Sequence, residues 1–342
     1  MSNSDLFEAK VISILKEEPI EVNGINQTYQ ELEVKTSGDN SETHIIKNGE
    51  VPMTKQNLYQ IGDKLILSSL ESSNPDEASG SANYQITDYA RLDGLLVLGI
   101  ILVVAILAVA RKRGLLALIS LAFTFLIIFK LTLPFIMAGH NPFLTSILSL
   151  IIIIPVTFYI THGWSKKTHA AVLATLLSLL LTIVLAQLAV RGIHLTGLAS
   201  EDAAFVLAQV GESIDIRGLL LAGMILATLG VVNDVTVSQA SVVQTLKKNN
   251  PKLSFKALYK DSMQVGRDHI TSMIDTLVLS YAGASLPLLL LLGFGRMPFW
   301  QALNFELIAE EITRTIVGSL GLVVAVPLTT AIAALFYEYQ AD

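Results

Sequence analysis

The chain has 342 residues, 52% of them hydrophobic and only 15% charged, with a mean hydropathy of +0.58. A soluble domain carries about 25% charge, so this composition excludes an ordinary globular enzyme, a disordered chain and a coiled coil, and points to an integral membrane protein. The net charge of −6 is unevenly placed: residues 1–90 hold 6 basic and 15 acidic side chains, whereas residues 91–342 hold 17 and 14.

An acidic first segment argues against nucleic acid or an anionic lipid surface as its partner. The chain has no Cys, which removes disulfides, thiolate metal sites and thiol catalysis. "MSNSDLFEAK" shows no signal peptide, because no apolar stretch follows a basic start. Export of the acidic segment then falls to the first membrane helix, unless the N-terminus has been trimmed. Within residues 1–90, "FEAKVISIL", "TYQELEVKT", "THIIKN", "DKLILSSL" and "NYQITDY" read as short strands, the first with a slip or bulge after Val11. "SGDN", "NGE" and "IGD" read as turns, and "ESSNPDEASGSA" as a polar loop or linker. Five strands in this length predict a small all-β, barrel- or OB-like domain. His44 reads as a plain surface residue.

Residues 91–342 are predicted to be a seven-helix transmembrane domain, with spans near 93–110, 114–138, 143–161, 170–190, 218–243, 270–292 and 315–337. The loops after spans 1, 3 and 5 carry Arg111, Lys112, Arg113, Lys166, Lys167, Lys247, Lys248, Lys252, Lys256, Lys260 and Arg267. The opposite loops carry Arg191, Arg217, Arg296 and Arg314 among Glu201, Asp202, Glu212, Asp215, Glu306, Glu310 and Glu311. Basic loops stay inside, so the β domain is expected outside and the "YEYQAD" C-terminus in the cytoplasm. Residues 299–312 and 195–210 have helical amphipathic spacing and read as helices lying at the outer interface, with Trp300 as an anchor.

Ionisable groups inside a bilayer cost about 2.5–3.5 kcal/mol each on the insertion scale and mark functional sites by default. Two stand out: Asp234 in "LGVVNDVTVSQAS" and Asp275 in "GRDHITSMIDTLVLSYAGASLP". Gly223, Ala227, Gly230, Asp234, Ser238 and Ser241 form one stripe of the fifth span. Its small members predict close packing and a buried Asp234. Asp268, Thr271, Ser272 and Asp275 form a stripe of the sixth span, with His269, Thr276, Ser280 and Gly283 beside it. Span 7 carries Gly318, Gly321, Ala325 and Thr329 on one face, and the three faces are expected to meet. Asp234 lies 13 residues before Lys247 and Asp275 lies 8 after Arg267. Those separations are about 19 and 12 Å along a helix, so the acids could share a proton or cation, or one could pair with Arg267. The candidate ion- or proton-coupling set is Asp234, Asp275, Asn233, Ser272, Thr276, Asp268 and Arg267. The competing role for these groups is a structural hydrogen-bond knot between helices. Lys130 could counter a carboxylate or snorkel outward. His162, His169 and His140 make a poor metal set. No cofactor motif, nucleophile elbow, phosphate loop or HExxH occurs, so no enzyme activity is expected.

Several blocks carry a family likeness. "RKRGLLALISL", "LPFIMAGHNP", "LGVVNDVTVSQAS", "GRDHITSMIDTLVLSYAGASLPLLL" and "IVGSLGLVVAVPLTTAIAA" resemble the YibE/YibF family of bacterial multi-pass membrane proteins over about residues 85–337. The resemblance implies the bacterial plasma membrane and a multi-pass protein of unassigned function. It also implies one more N-terminal hydrophobic helix than this chain shows. A fainter likeness to SecF/RND-type transmembrane units rests on Asn233-Asp234, the basic 246–267 loop, and Thr271, Ser272 and Thr276. It implies Asp234 as a proton-responsive carboxylate, although two extra spans precede the unit and the β domain is far smaller than an RND pore domain. Two functions follow. One is a proton- or cation-coupled transporter or export-accessory protein. The other is a non-transporting scaffold whose β head binds an envelope or protein partner. The partners expected are the lipid bilayer, a proton or monovalent cation, and a membrane protein or second copy of the chain.

Overall fold

The computed structural model describes residues 6–37, 42–51, 58–70, 83–211, 214–294 and 298–338. Its contacts divide the chain into two compact units, 1–105 and 106–342. The predicted linker 71–82, the charges Glu212 and Arg296, and the last four residues of the C-terminus lie outside the described residues.

The first unit is an antiparallel sheet of β1 (Leu6–Val22), β2 (Ile25–Thr36), β3 (Thr43–Asn48), β4 (Lys64–Leu70) and β5 (Asn83–Tyr89), in the order β3-β2-β1-β4-β5. The slip expected after Val11 is a β-bulge between Val11 and Ser13. It lets Ile14, three residues after Val11, pack against the same core as Ala9 and Val11. β1 runs further than its apolar pattern suggests. Beyond the bulge it pairs only with β2, so Pro19 sits on an edge that needs no N–H. Asn23 (φ 51) and Gly24 (φ 81) close this hairpin, because a two-residue turn of this twist requires positive φ at both positions. Leu32, Val34, Ile46, Leu65 and Leu67 join Ala9 and Val11 in one core. Buried Gln30 spans that core. It donates to the Tyr59 carbonyl (3.1 Å) and accepts from the Tyr59 amide (3.0 Å), which ties the 58–61 segment to β2. At the end of β5, Arg91 donates to both Asp88 oxygens (2.6 and 2.8 Å) and holds that carboxyl below the usual carboxylate range.

Among the described residues from Leu92 onward the elements are helical: α1 (Leu92–Ile127), a π-helical turn (Ile128–Thr132), α2 (Leu133–Met137), α3 (Pro142–His162), α4 (Lys166–Gly192), α5 (Glu201–Val210), α6 (Ile216–Asn249), α7 (Phe255–Ala284), α8 (Leu286–Phe294), α9 (Phe299–Ala302) and α10 (Glu306–Glu338). Five helical stretches among the described residues are long and apolar enough to cross a bilayer: 92–137, 142–162, 166–192, 216–249 and 306–338. The first holds 46 residues, about twice what one crossing needs, and Arg111 (φ 51, ψ −126) breaks it. A Cβ on Gly114 would lie 2.8 Å from Ile106 Cγ2. Those residues would be about 12 Å apart on a straight helix, so the chain turns sharply at Arg111. The predicted sixth span, 270–292, is not one helix: α7 stops before Ser285 and α8 begins at Leu286, ahead of Pro287.

The second unit packs α4, α6 and α10 around a core of α3, α4, α6 and α10 side chains, including Phe158, Leu179, Ile225, Val243 and Ile332. Span 7 uses its small face as the spacing predicts, and Gly318, Gly321, Ala325 and Thr329 are all buried. A Cβ on Gly321 would sit 2.6 Å from Thr182 Oγ1 on α4 and 3.1 Å from Thr228 Cγ2 on α6, so glycine sets the spacing of three helices. Hydroxyls in these helices donate back to the carbonyl one turn earlier, as Thr182, Thr228, Thr329 and Thr330 do. That satisfies a polar group where no water is at hand.

Candidate functional site

The fifth predicted span is the middle of α6, and its buried face is not the small stripe. Thr228, Val232, Val235, Thr236, Gln239 and Ala240 face the core, while Gly230 and Asp234 are exposed. The expected burial of Asp234 in protein is therefore corrected. The residues of α6 that fill the bundle are mostly branched and amphipathic ones that pack against α4 and α10; of the small stripe, Gly230 and Asp234 are left outside and Gly223, Ala227, Ser238 and Ser241 are half-buried. Asp234 makes no hydrogen bond or ion pair among the described residues. Neighbouring Asn233 offers its backbone carbonyl to Thr236 Oγ1 (3.0 Å), and Thr236 Oγ1 also meets Thr175 Oγ1 of α4 at 2.7 Å.

On α7 the apolar face packs inward. Ile270, Met273, Ile274, Leu277 and Tyr281 meet Val232 and Val235 of α6 and Leu322, Ala325 and Val326 of α10. Gly266 makes this approach feasible, since a Cβ there would lie 2.6 Å from Val326 Cγ1. Asp268, Ser272, Asp275 and Thr276 lie about 120–160° around the helix from Ile270 and are exposed, as is Arg267. The faces expected to meet do not: Asp275 is directed away from α6, and the structure does not bring Asp234 and Asp275 together. Thr271 and Thr276 donate to the carbonyls of Arg267 and Ser272 (3.0 Å each), so their hydroxyls serve their own helix.

A buried hydrogen-bond link among the three helices is made by Gln239. Its Nε2 donates to the Ser262 carbonyl of α7 (3.0 Å) and to Thr330 Oγ1 of α10 (2.7 Å). This buried amide had no distinguishing signal in the sequence beyond its position in a long apolar helix.

The other polar feature lies at the opposite end of α10 from Thr330. Glu306 starts α10, so residues 306–312 are not a separate interfacial helix; Ile308 and Glu310 are buried. Glu306 accepts from the amides of Thr196 and Gly197 and from Thr196 Oγ1 (3.0 Å), while Arg217 Nε donates to the Leu195 carbonyl (3.0 Å). Gly197 (φ 82) has no room for a side chain, because its Cβ would lie 2.9 Å from the Ile216 carbonyl oxygen. The loop so held forms one wall of a cavity of about 220 Å³, lined also by Ser200, Asp202, Val206, Leu220, Gly223, Glu310 and Arg314. Sequence reasoning placed these charges in an outer loop. The missed signal was the unbroken helical register from Glu306 into the apolar run.

Among the described residues no group of three or more His, Asp or Glu side chains is placed to hold a metal ion. A family model described as YibE/F-like protein matches residues 98–339. No curated protein sequence matches the chain, and no solved structure does.

Proposed function

The chain belongs to the YibE/F-like family, and from that premise we propose that it is a proton- or cation-coupled membrane transporter rather than an enzyme. One observation carries the reading: Asp234 stands midway along a membrane-length helix with no protein partner among the described residues. A lone carboxylate at that depth costs several kcal/mol unless water, a proton or a cation attends it. The coupling group is Asp234. Asp275, Asp268, Ser272 and Thr276 line the outer face of α7, where a water path, a second copy or another membrane protein would meet them.

The distribution of Lys and Arg supports a bacterial plasma-membrane protein with its β domain outside and its C-terminus in the cytoplasm. The β domain reads as an OB-like barrel. Its strand order supports that reading, as does the approach of β3 and β5 at His44 and Tyr84, whose rings are 4.4 Å apart.

The test is flux into proteoliposomes driven by a pH or cation gradient. Asp234→Asn is expected to abolish gradient-driven flux, and Asp275→Asn to reduce it less. Full flux in Asp234→Asn would overturn the reading. A second reading, a scaffold acting through its β domain, is favoured by that domain having a core of its own. Removing residues 1–90 would then abolish the cellular phenotype, while Asp234→Asn would leave it intact.

A further inference from the structure

Where α3 and α6 finish and α4 begins, cations gather without a counter-charge. Ser120 of α1 donates to the Thr157 carbonyl (3.2 Å) and meets Thr161 Oγ1 (2.8 Å), which holds the second half of α1 against α3. Arg113 precedes Ser120 by seven residues, two turns along the same face, and so stands at the end of α3 by His162. Lys167 lies in the first turn of α4 and Lys248 in the last turn of α6, and these two helix ends share the core of Ala170, Ala171 and Val243. The charges that act on Lys167 are those of Arg113 and Lys248, and those that act on His162 are Lys167 and Arg113. No carboxylate is among them. Among the described residues, none of Arg113, Lys167 and Lys248 makes an ion pair. Their neighbours Lys166 and Lys247 turn instead to the carbonyls of Phe336 (3.3 Å) and Leu253 (2.7 Å).

Orientation in a membrane needs Lys and Arg on one side but does not need them to converge. Three like charges held together repel, and an anion between them turns that repulsion into attraction. The source of the anion follows from the level of the cluster. The stretches 142–162, 166–192 and 216–249 are each long enough to cross a bilayer, and His162, Lys167 and Lys248 stand at their ends, where headgroups lie. Arg113 reaches the same level through the break at Arg111. Trp164 stacks on Tyr159 (4.2 Å) yet stays 78% exposed, as an aromatic at headgroup level does. From Arg113 the exposed Leu115, Leu116 and Ile119 continue along α1, a surface suited to acyl chains and not to a soluble phosphate. We propose that Arg113, Lys167 and Lys248 hold the phosphate of an anionic phospholipid at this end of the bundle. The site does not depend on whether the protein transports, because binding alone is measured.

The chain has two tryptophans, so Trp300→Phe leaves Trp164 alone beside the cluster as a reporter. The experiment places that full-length chain in phosphatidylcholine bilayers and titrates in phosphatidylglycerol or phosphatidylcholine brominated on the acyl chains, since bromine quenches an indole only at close range. Brominated phosphatidylglycerol is expected to quench Trp164 with a preference of about tenfold or more, because one cation at a membrane surface is worth about fivefold. Arg113→Gln, Lys167→Gln and Lys248→Gln together should bring the two lipids level. Lys248→Gln alone changes an exposed side chain and should lower the preference about fivefold even if the triple variant folds poorly. Lys252→Gln, Lys256→Gln and Lys260→Gln together remove the same charge from exposed positions nearby and should leave the preference in place. Equal quenching by the two lipids, a preference unchanged in a folded Lys248→Gln chain, or a preference lost in the Lys252, Lys256 and Lys260 variant would each overturn the proposal. Loss of the preference on adding millimolar inorganic phosphate would assign the cluster to a soluble anion and overturn it as well.

Discussion

At the scale of single residues, the glycines divide by what surrounds them. Gly321 touches Thr182 and Thr228 so closely that Gly321→Ala must push one helix outward, whereas Gly223 faces room. Overpacking of this kind costs about 1–3 kcal/mol. Thermal unfolding in detergent is expected to show that loss for Gly321→Ala and little change for Gly223→Ala; equal midpoints would contradict the packing described. Spacing alone identified the Gly318–Gly321–Ala325–Thr329 face, because small residues one turn apart have few other uses in lipid. The same argument misplaced Gly230 and Asp234. A stripe of small residues permits close approach without demanding it, and the deciding partner, the Ile270–Leu277 face of α7, came from elsewhere in the chain. Gln239 was illegible for the reverse reason: its partners on α7 and α10 are distant in sequence.

At the scale of elements, all five predicted strands are present, with β3 and β5 ending where their alternation ends. Alternation failed in Lys16–Val22 and in the facing Ile25–Gln27, where β1 and β2 form an edge ribbon and burial no longer enforces a pattern. That ribbon depends on its turn. Gly24→Ala places a Cβ at φ 81, at a cost of about 1–2 kcal/mol, and hydrogen exchange of the Glu17–Gln30 amides should quicken. Unchanged protection would show that the turn does not hold the hairpin. Among the helices, hydropathy located α3, α4, α6 and α10 but could not see the break at Ser285. Nor could it see that Glu310 belongs to α10, because an apolar window begins after the charged turn that starts the helix.

For the whole molecule, the proposed topology rests on eleven basic residues gathered between alternate pairs of predicted spans. Single cysteines test it cleanly, since the chain has none of its own. Ser165→Cys is expected to react from the cytoplasmic side and Thr196→Cys from the outside, as read by a membrane-impermeant thiol reagent on oriented vesicles. Both reacting from one side would reverse the topology argument.

The measurement that bears most directly on Asp234 uses the same background. A small charged thiosulfonate modifies a thiol only where water reaches it. Asp234→Cys should be modified, while Leu180→Cys, on an apolar exposed face of α4, should resist. If Asp234→Cys stays as inert as Leu180→Cys while Ser165→Cys reacts, no water attends that position, and the carboxylate cannot carry a coupling ion.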